Sequence, residues 1–192
     1  MKSLVAIALL ICSQLVRAEG GPKVHLEKAT FGAGCFWCVE AVFERLDGVQ
    51  SVVAGYAGGT KANPTYEEVC TGKTGHAEVA QITYDPAKVT YEQLLALFWK
   101  AHDPTTLNRQ GADVGTQYRS AIFYASEQQR VAAEKSKAEA SKHFPDPIVT
   151  EVKPLDIFYE AENYHQDYFR NHPEAPYCRF VIKPKLEKLD SK

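Results

Sequence analysis

Strand-like and helix-like segments alternate along this chain, an order that points to a mixed α/β or α+β domain rather than to helices or strands alone. Ala29-Thr30-Phe31-Gly32-Ala33-Gly34 reads as a strand running into a glycine turn. From Phe36 to Leu46 the apolar residues Trp37, Ala41, Val42 and Leu46 fall at helical spacing, and Asp47-Gly48 ends the run. Ser51 to Ala54 is a second strand, closed by a flexible Gly55-Tyr56-Ala57-Gly58-Gly59 loop. In the next strand the alternation puts Glu78, Ala80, Ile82 and Tyr84 on one face, with Asp85-Pro86 as the stop. Thr90 with Gln93 makes a capping box for a helix carrying Leu94, Leu95, Leu97 and Phe98, and Ser126 with Gln129 caps an exposed one. Between them lie a polar loop from Asp103 to Thr116 and an alternating strand from Tyr118 to Tyr124. Ile148 to Val152 looks like the last strand, before an aromatic-rich stretch from Phe158 to Tyr177 with little regular period. Nothing in the chain repeats or reads as a linker, so residues 19–192 are expected to form a single domain.

At 192 residues the chain can bury a core without metal or disulfides. Its 22 basic and 24 acidic residues, net −2, argue against a strongly basic nucleic-acid binder. Five cysteines are too few for a disulfide scaffold. Residues 1–18 have the layout of a secretory leader. Met1-Lys2-Ser3 is positive, Leu4 to Cys12 is an apolar run too short to span a bilayer, and Val16-Arg17-Ala18 offers a cleavage site after Ala18. The mature chain is then expected outside the cytoplasm, periplasmic or secreted, with no membrane anchor, in a compartment that favours disulfides. Removal of the leader takes away Cys12 and Met1, the sole methionine.

The chemistry centres on Gly34-Cys35-Phe36-Trp37-Cys38. A cysteine where a strand meets a helix start faces free amides and the positive end of the helix dipole, so Cys35 is expected to have a lowered pKa and to be nucleophilic. The same residues also admit a thioredoxin-like dithiol, half of a zinc site that lacks its other half, or two buried structural thiols. Glu78 is the second anomaly, because its parity points a carboxylate at the face that should be buried. A desolvated carboxyl stays protonated near neutrality and suits a general acid, but from pattern alone a strand-end carboxylate with its head in solvent is the better reading.

Gly-Cys-Phe-Trp at 34–37, Gly55-Tyr56-Ala57-Gly58-Gly59, Pro64-Thr65-Tyr66, Thr74-Gly75-His76-Ala77-Glu78, Asp113-Val114-Gly115-Thr116-Gln117-Tyr118-Arg119-Ser120 and Ala161-Glu162-Asn163-Tyr164-His165-Gln166-Asp167-Tyr168 resemble the peptide methionine sulfoxide reductase A family. The resemblance runs over residues 25–185. It implies a ferredoxin-like α/β (α+β) fold, a two-layer sandwich of mixed sheet and surrounding helices. It also implies reduction of the S-sulfoxide of methionine, free or in proteins. Cys35 takes the nucleophile's position and Glu78 the acid's. Tyr66 and Tyr118 match tyrosines that hydrogen-bond the departing oxygen, and Asp113 matches a carboxylate orienting water or substrate. Phe36 and Trp37 match the walls that receive the S-methyl group, with His165 and Tyr168 behind them.

The implied cycle leaves a sulfenic acid on Cys35, which a second thiol converts to a disulfide for a thioredoxin-like partner, or dithiothreitol, to reduce. The family's recycling cysteines lie near the C-terminus, and Cys178 is the candidate here; Cys38 is its rival and Cys70 reads as structural. No bound cofactor, metal or nucleic acid is implied, and a monomer is expected. The competing class is a general thiol–disulfide exchange protein using Cys35 and Cys38, for which an acid such as Glu78 has no task.

Overall fold

The structure, a computed structural model, describes residues 25–191; the expected leader lies outside them. In chain order the elements are β1 (Glu27–Ala33), α1 (Phe36–Phe43), β2 (Val49–Ala57), α2 (Tyr66–Cys70), β3 (Ala77–Tyr84) and α3 (Tyr91–Ala101). There follow β4 (Arg109–Gln110), β5 (Asp113–Val114), β6 (Ser120–Tyr124), α4 (Glu127–Ala140), β7 (Glu151–Pro154) and β8 (Phe158–Glu160). Finally come α5 (Tyr168–Asn171), a π-helical turn (Cys178–Ile182) and α6 (Lys183–Asp190).

The six-stranded sheet has the order β7-β6-β1-β3-β2-β8. Its four central strands pair antiparallel, and β1-α1-β2-β3-α3-β6 in the spatial order β6-β1-β3-β2 is the split βαβ arrangement of a ferredoxin-like fold. β7 joins β6 in parallel and β8 joins β2 antiparallel, which makes the sheet mixed. One face carries the main core: Phe31, Ala54, Tyr56, Ala80, Ile82, Tyr84 and Ile122 pack against Val39, Phe43, Leu94, Leu95 and Phe98 of α1 and α3. The opposite face buries a smaller cluster of Ala57, Ala77, Val79, Ala121 and Phe123 under Leu155 and Phe158. Burial on both faces explains why β3 is buried along almost its whole length, Glu78 and Gln81 included.

Local signals set most boundaries. Thr90 caps α3 reciprocally with Gln93, as expected, and Thr65 caps α2 with Glu68 in the same way. Ser126 caps α4, but the Gln129 side chain turns to Ala125 N–H and the Lys28 carbonyl, tying α4 to β1. The end of α3 is fixed by His102, whose ring contacts the Phe98 carbonyl at 2.7 Å and the Ser120 hydroxyl at 2.7 Å. Ser120 in turn meets Thr150 at 2.7 Å, so one buried polar chain joins α3, β6 and the approach to β7.

Three expectations need correction. Gly55-Tyr56-Ala57 is the end of β2, because β3 pairs on one side, Tyr56 opposite Glu78, and β8 on the other. A Cβ at Gly55 would stand 2.5 Å from the Phe158 ring and the Tyr159 carbonyl, so the glycine serves close strand approach. The strand expected at 148–152 begins at Glu151, and β8 follows it. Tyr118 belongs to a 3-10 turn (Thr116–Tyr118) ahead of β6.

Candidate active site

β1 ends and α1 begins across a single tight turn, and Gly34 makes it possible. Its φ is +92°, and a Cβ there would lie 2.7 Å from the Gln110 side chain. Cys35 follows as the N-cap of α1, only 8% exposed. On the neighbouring strand Glu78 is 1% exposed and accepts the Phe36 N–H through Oε2 at 3.0 Å. The amide opened by the helix start therefore serves the carboxyl beside the cysteine.

The electrostatics follow from that arrangement. Burial pushes the Glu78 carboxyl up to about 8, with Asp113 and Cys38 adding to it and the Phe36 amide opposing. Glu78 is thus a neutral acid at pH 7, and the reading of a carboxylate with its head in solvent is set aside. The expected lowering of the Cys35 pKa is also corrected. Burial raises this thiol well above its usual range, Cys38 and Glu78 add to the rise, and the Trp37 amide works against it. The helix terminus cannot overcome desolvation when its first amide is already engaged by Glu78 and, among the described residues, no cation acts on the sulfur.

Two phenols border the carboxyl. Tyr66 opens α2, and its backbone amide donates to Glu162 Oε1 at 2.9 Å. Glu162 also accepts the Tyr56 hydroxyl at 2.8 Å, which fixes α2 against the sheet. Tyr118 comes from the 3-10 turn. Burial raises both phenols, and the Glu78 charge adds to each, so both remain hydrogen-bond donors in the neutral range. Phe36 and Tyr66 stack with centroids 6.4 Å apart. Trp37 stacks on Tyr168 at 3.7 Å and 8°, and meets the Tyr177 ring edge-on at 5.8 Å. His165 is buried among Phe36, Trp37 and Tyr66. Its two ring nitrogens and Trp37 Nε1 have no partner among the described residues.

Asp113, on β5, receives the Tyr177 hydroxyl at 2.6 Å, and the same hydroxyl lies 3.7 Å from Cys38 Sγ. Sequence reasoning missed Tyr177 because attention went to the neighbouring Cys178 and no period marks its segment. Glu40 was missed too. It is buried on α1, accepts the Asp167 and Tyr168 amides at 3.0 and 3.3 Å, and so holds the segment that backs Trp37. Its acidic side chain inside an apolar helical stretch was the available signal. The structure gathers Cys35, Phe36, Trp37, Tyr66, Glu78, Asp113 and Tyr118 around one place. Cys178 is fully buried at the start of the π-helical turn, and the thiol whose charge it feels is Cys38. Cys70 is exposed at the end of α2, beside Tyr66. Among the described residues no cluster of His, Cys, Asp or Glu is arranged to hold a metal ion.

A buried sulfur next to a neutral carboxylic acid and two phenols suits an enzyme that removes oxygen from a substrate atom, since exchange between thiols and disulfides calls for no such donor. That is the class, a cysteine-dependent oxidoreductase on a ferredoxin-like frame. The family model described as peptide methionine sulfoxide reductase matches residues 27–192, and the chain belongs to that family. It is 59% identical over 163 residues to the peptide methionine sulfoxide reductase MsrA of Nautilia profundicola, covering 85% of this chain and 94% of that one. Among solved structures it is similar to reduced Mxr1 from Saccharomyces cerevisiae, with a TM-score of 0.76 and 37% identity over 80% of this chain and 89% of that one. Mxr1 in complex with Trx2 also matches, with a TM-score of 0.56 and 26% identity over 78% of this chain and 90% of that one. The chain is an oxidoreductase that reduces methionine sulfoxide with thiol electrons.

Proposed function

We propose that Cys35 is the nucleophile and Glu78 the proton donor in reduction of the S epimer of methionine sulfoxide, free or within proteins. The Glu78 carboxyl carries this reading: buried, neutral at pH 7, and bonded at 3.0 Å to the amide next to Cys35. The substrate's S-methyl group sits against Phe36 and Trp37, and its oxygen faces Glu78, Tyr66 and Tyr118. Cys35 Sγ attacks the sulfur while Glu78 delivers a proton to the oxygen, the two phenols stabilising the charge that gathers there. The Cys35 proton returns to Glu78. The hydroxyl then passes from the substrate sulfur to Cys35 Sγ as the bond between the two sulfurs breaks, so that overall a thiol and a sulfoxide give a sulfenic acid on Cys35 and the sulfide of methionine. Asp113, held by Tyr177, orients water or substrate at the rim.

A neighbouring thiol then displaces the sulfenic oxygen as water, and an external dithiol reduces the disulfide. The Mxr1–Trx2 complex supports a thioredoxin-type protein as that reductant. No bound cofactor enters the cycle. With residues 1–18 read as a leader, the enzyme acts as a monomer outside the cytoplasm, repairing oxidised proteins there. The test gives the mature protein separated S- and R-sulfoxides of a methionine derivative with dithiothreitol, beside Cys35→Ser. Loss of the S form alone, abolished in the variant, is expected. Turnover of the R form, or activity surviving Cys35→Ser, overturns the assignment.

A further inference from the structure

Cys35 and Cys38 occupy the N-cap and third positions of α1, and the Cys38 amide donates to the Cys35 carbonyl at 3.0 Å. One such turn sets the two Cα atoms about 5–6 Å apart, inside the roughly 4.4–6.8 Å that a disulfide spans. The two thiols perturb each other electrostatically, and the Tyr177 hydroxyl stands 3.7 Å from Cys38 Sγ. Cys38 is only 3% exposed, buried on the same helix start as Cys35. Cys178, at the first residue of the π-helical turn, belongs to the same core, and the thiol whose charge it feels is Cys38 rather than Cys35.

We infer that Cys38, and not Cys178, resolves the Cys35 sulfenic acid, an inference that rests on the reading of Cys35 as the nucleophile. Cys38 Sγ attacks the Cys35 sulfur, the S–O bond breaks, and the oxygen leaves as water with the thiol proton and the sulfenic proton. The product is a Cys35–Cys38 disulfide. An external dithiol then returns both sulfurs to thiols and is itself oxidised. Cys38 is prepared for this role. Its hydrogen bond with Cys35 is the main cause that draws the thiol down to about 7; burial opposes, and Lys185 and Tyr177 add to the lowering. In the reduced enzyme the thiolate, the form that attacks, is therefore accessible on this sulfur at neutral pH.

The experiment gives reduced wild type, Cys38→Ser, Cys38→Ala and Cys178→Ser one equivalent of substrate without reductant. Methionine yield, free thiols, dimedone capture and the disulfide-linked peptides are then read. Wild type and Cys178→Ser should release one methionine, lose two thiols and carry the bond within the peptide that holds Cys35 and Cys38. A Cys38–Cys178 bond in wild type that becomes Cys35–Cys38 in Cys178→Ser equally supports Cys38 as first attacker. Both Cys38 variants should release one methionine, which also shows that they fold, and keep a dimedone-reactive Cys35. Their turnover with a thioredoxin-type dithiol should fall at least about tenfold. A Cys35–Cys178 disulfide in wild type and in the Cys38 variants overturns the inference. Absence of methionine from wild type would instead refute the reading of Cys35.

Discussion

The Tyr177 hydroxyl donates to Asp113 Oδ2 at 2.6 Å and lies 3.7 Å from Cys38 Sγ, so one phenol joins a rim carboxylate to a buried thiol. Turned from Asp113, the same proton can meet a Cys38 thiolate, the sense in which Tyr177 lowers that thiol. The β4–β5 hairpin and the residue that opens the π-helical turn are thereby coupled to α1 through side chains that no sequence period announces.

Tyr177→Phe should separate the two halves of the cycle. The ring still packs edge-on against Trp37, so single-turnover methionine yield should remain one per enzyme. Steady-state turnover with dithiothreitol should fall about 10–100-fold, the effect of one lost hydrogen bond to a charged group. Rapid-quench and steady-state assays on one preparation check this; an equal loss in both would place Tyr177 in the sulfoxide step instead.

Glu78 also leaves a mark on stability. Its folded pKa, about 8, lies above its unfolded value, so its contribution to stability is fully present below about 4.5 and is lost as pH rises through about 8. Glu78→Gln keeps an acceptor for the Phe36 amide and has no charge to desolvate. Denaturant titrations from pH 5 to 9 should show wild type losing up to about 3 kcal/mol relative to the variant across that window. Parallel profiles would mean the carboxyl ionises normally.

The tyrosines should act on the chemical step. Tyr66→Phe and Tyr118→Phe each remove one donor to the sulfoxide oxygen and should lower kcat about 10–100-fold, with the double variant lower still. KM should move much less, because the phenyl rings stay in place. A change confined to KM would make these residues substrate walls only.

Much of this was legible in the sequence for identifiable reasons. Gly34-Cys35 marked the strand-to-helix junction because a positive φ and a helix start leave strong local signatures. The parity of Glu78 correctly placed it on the core face. What escaped was set by tertiary contacts. The rise in the Cys35 pKa depends on how deeply α1 is covered and on Glu78 taking the Phe36 amide, which no spacing encodes. β8 and the segment after it gain their order by packing on β2 and α1, with Gln166 bonding Ala54 and Glu40 holding residues 167 and 168. Their own sequence lacks a period for that reason.

The claim that Glu78 works as the neutral acid is tested most directly by single-turnover methionine formation in Glu78→Gln, read beside alkylation of Cys35 by iodoacetamide. Methionine formation should slow about 10²–10⁴-fold, the usual worth of a positioned proton donor, while alkylation stays within about threefold of wild type. Equal rates of methionine formation in the two proteins would contradict the account.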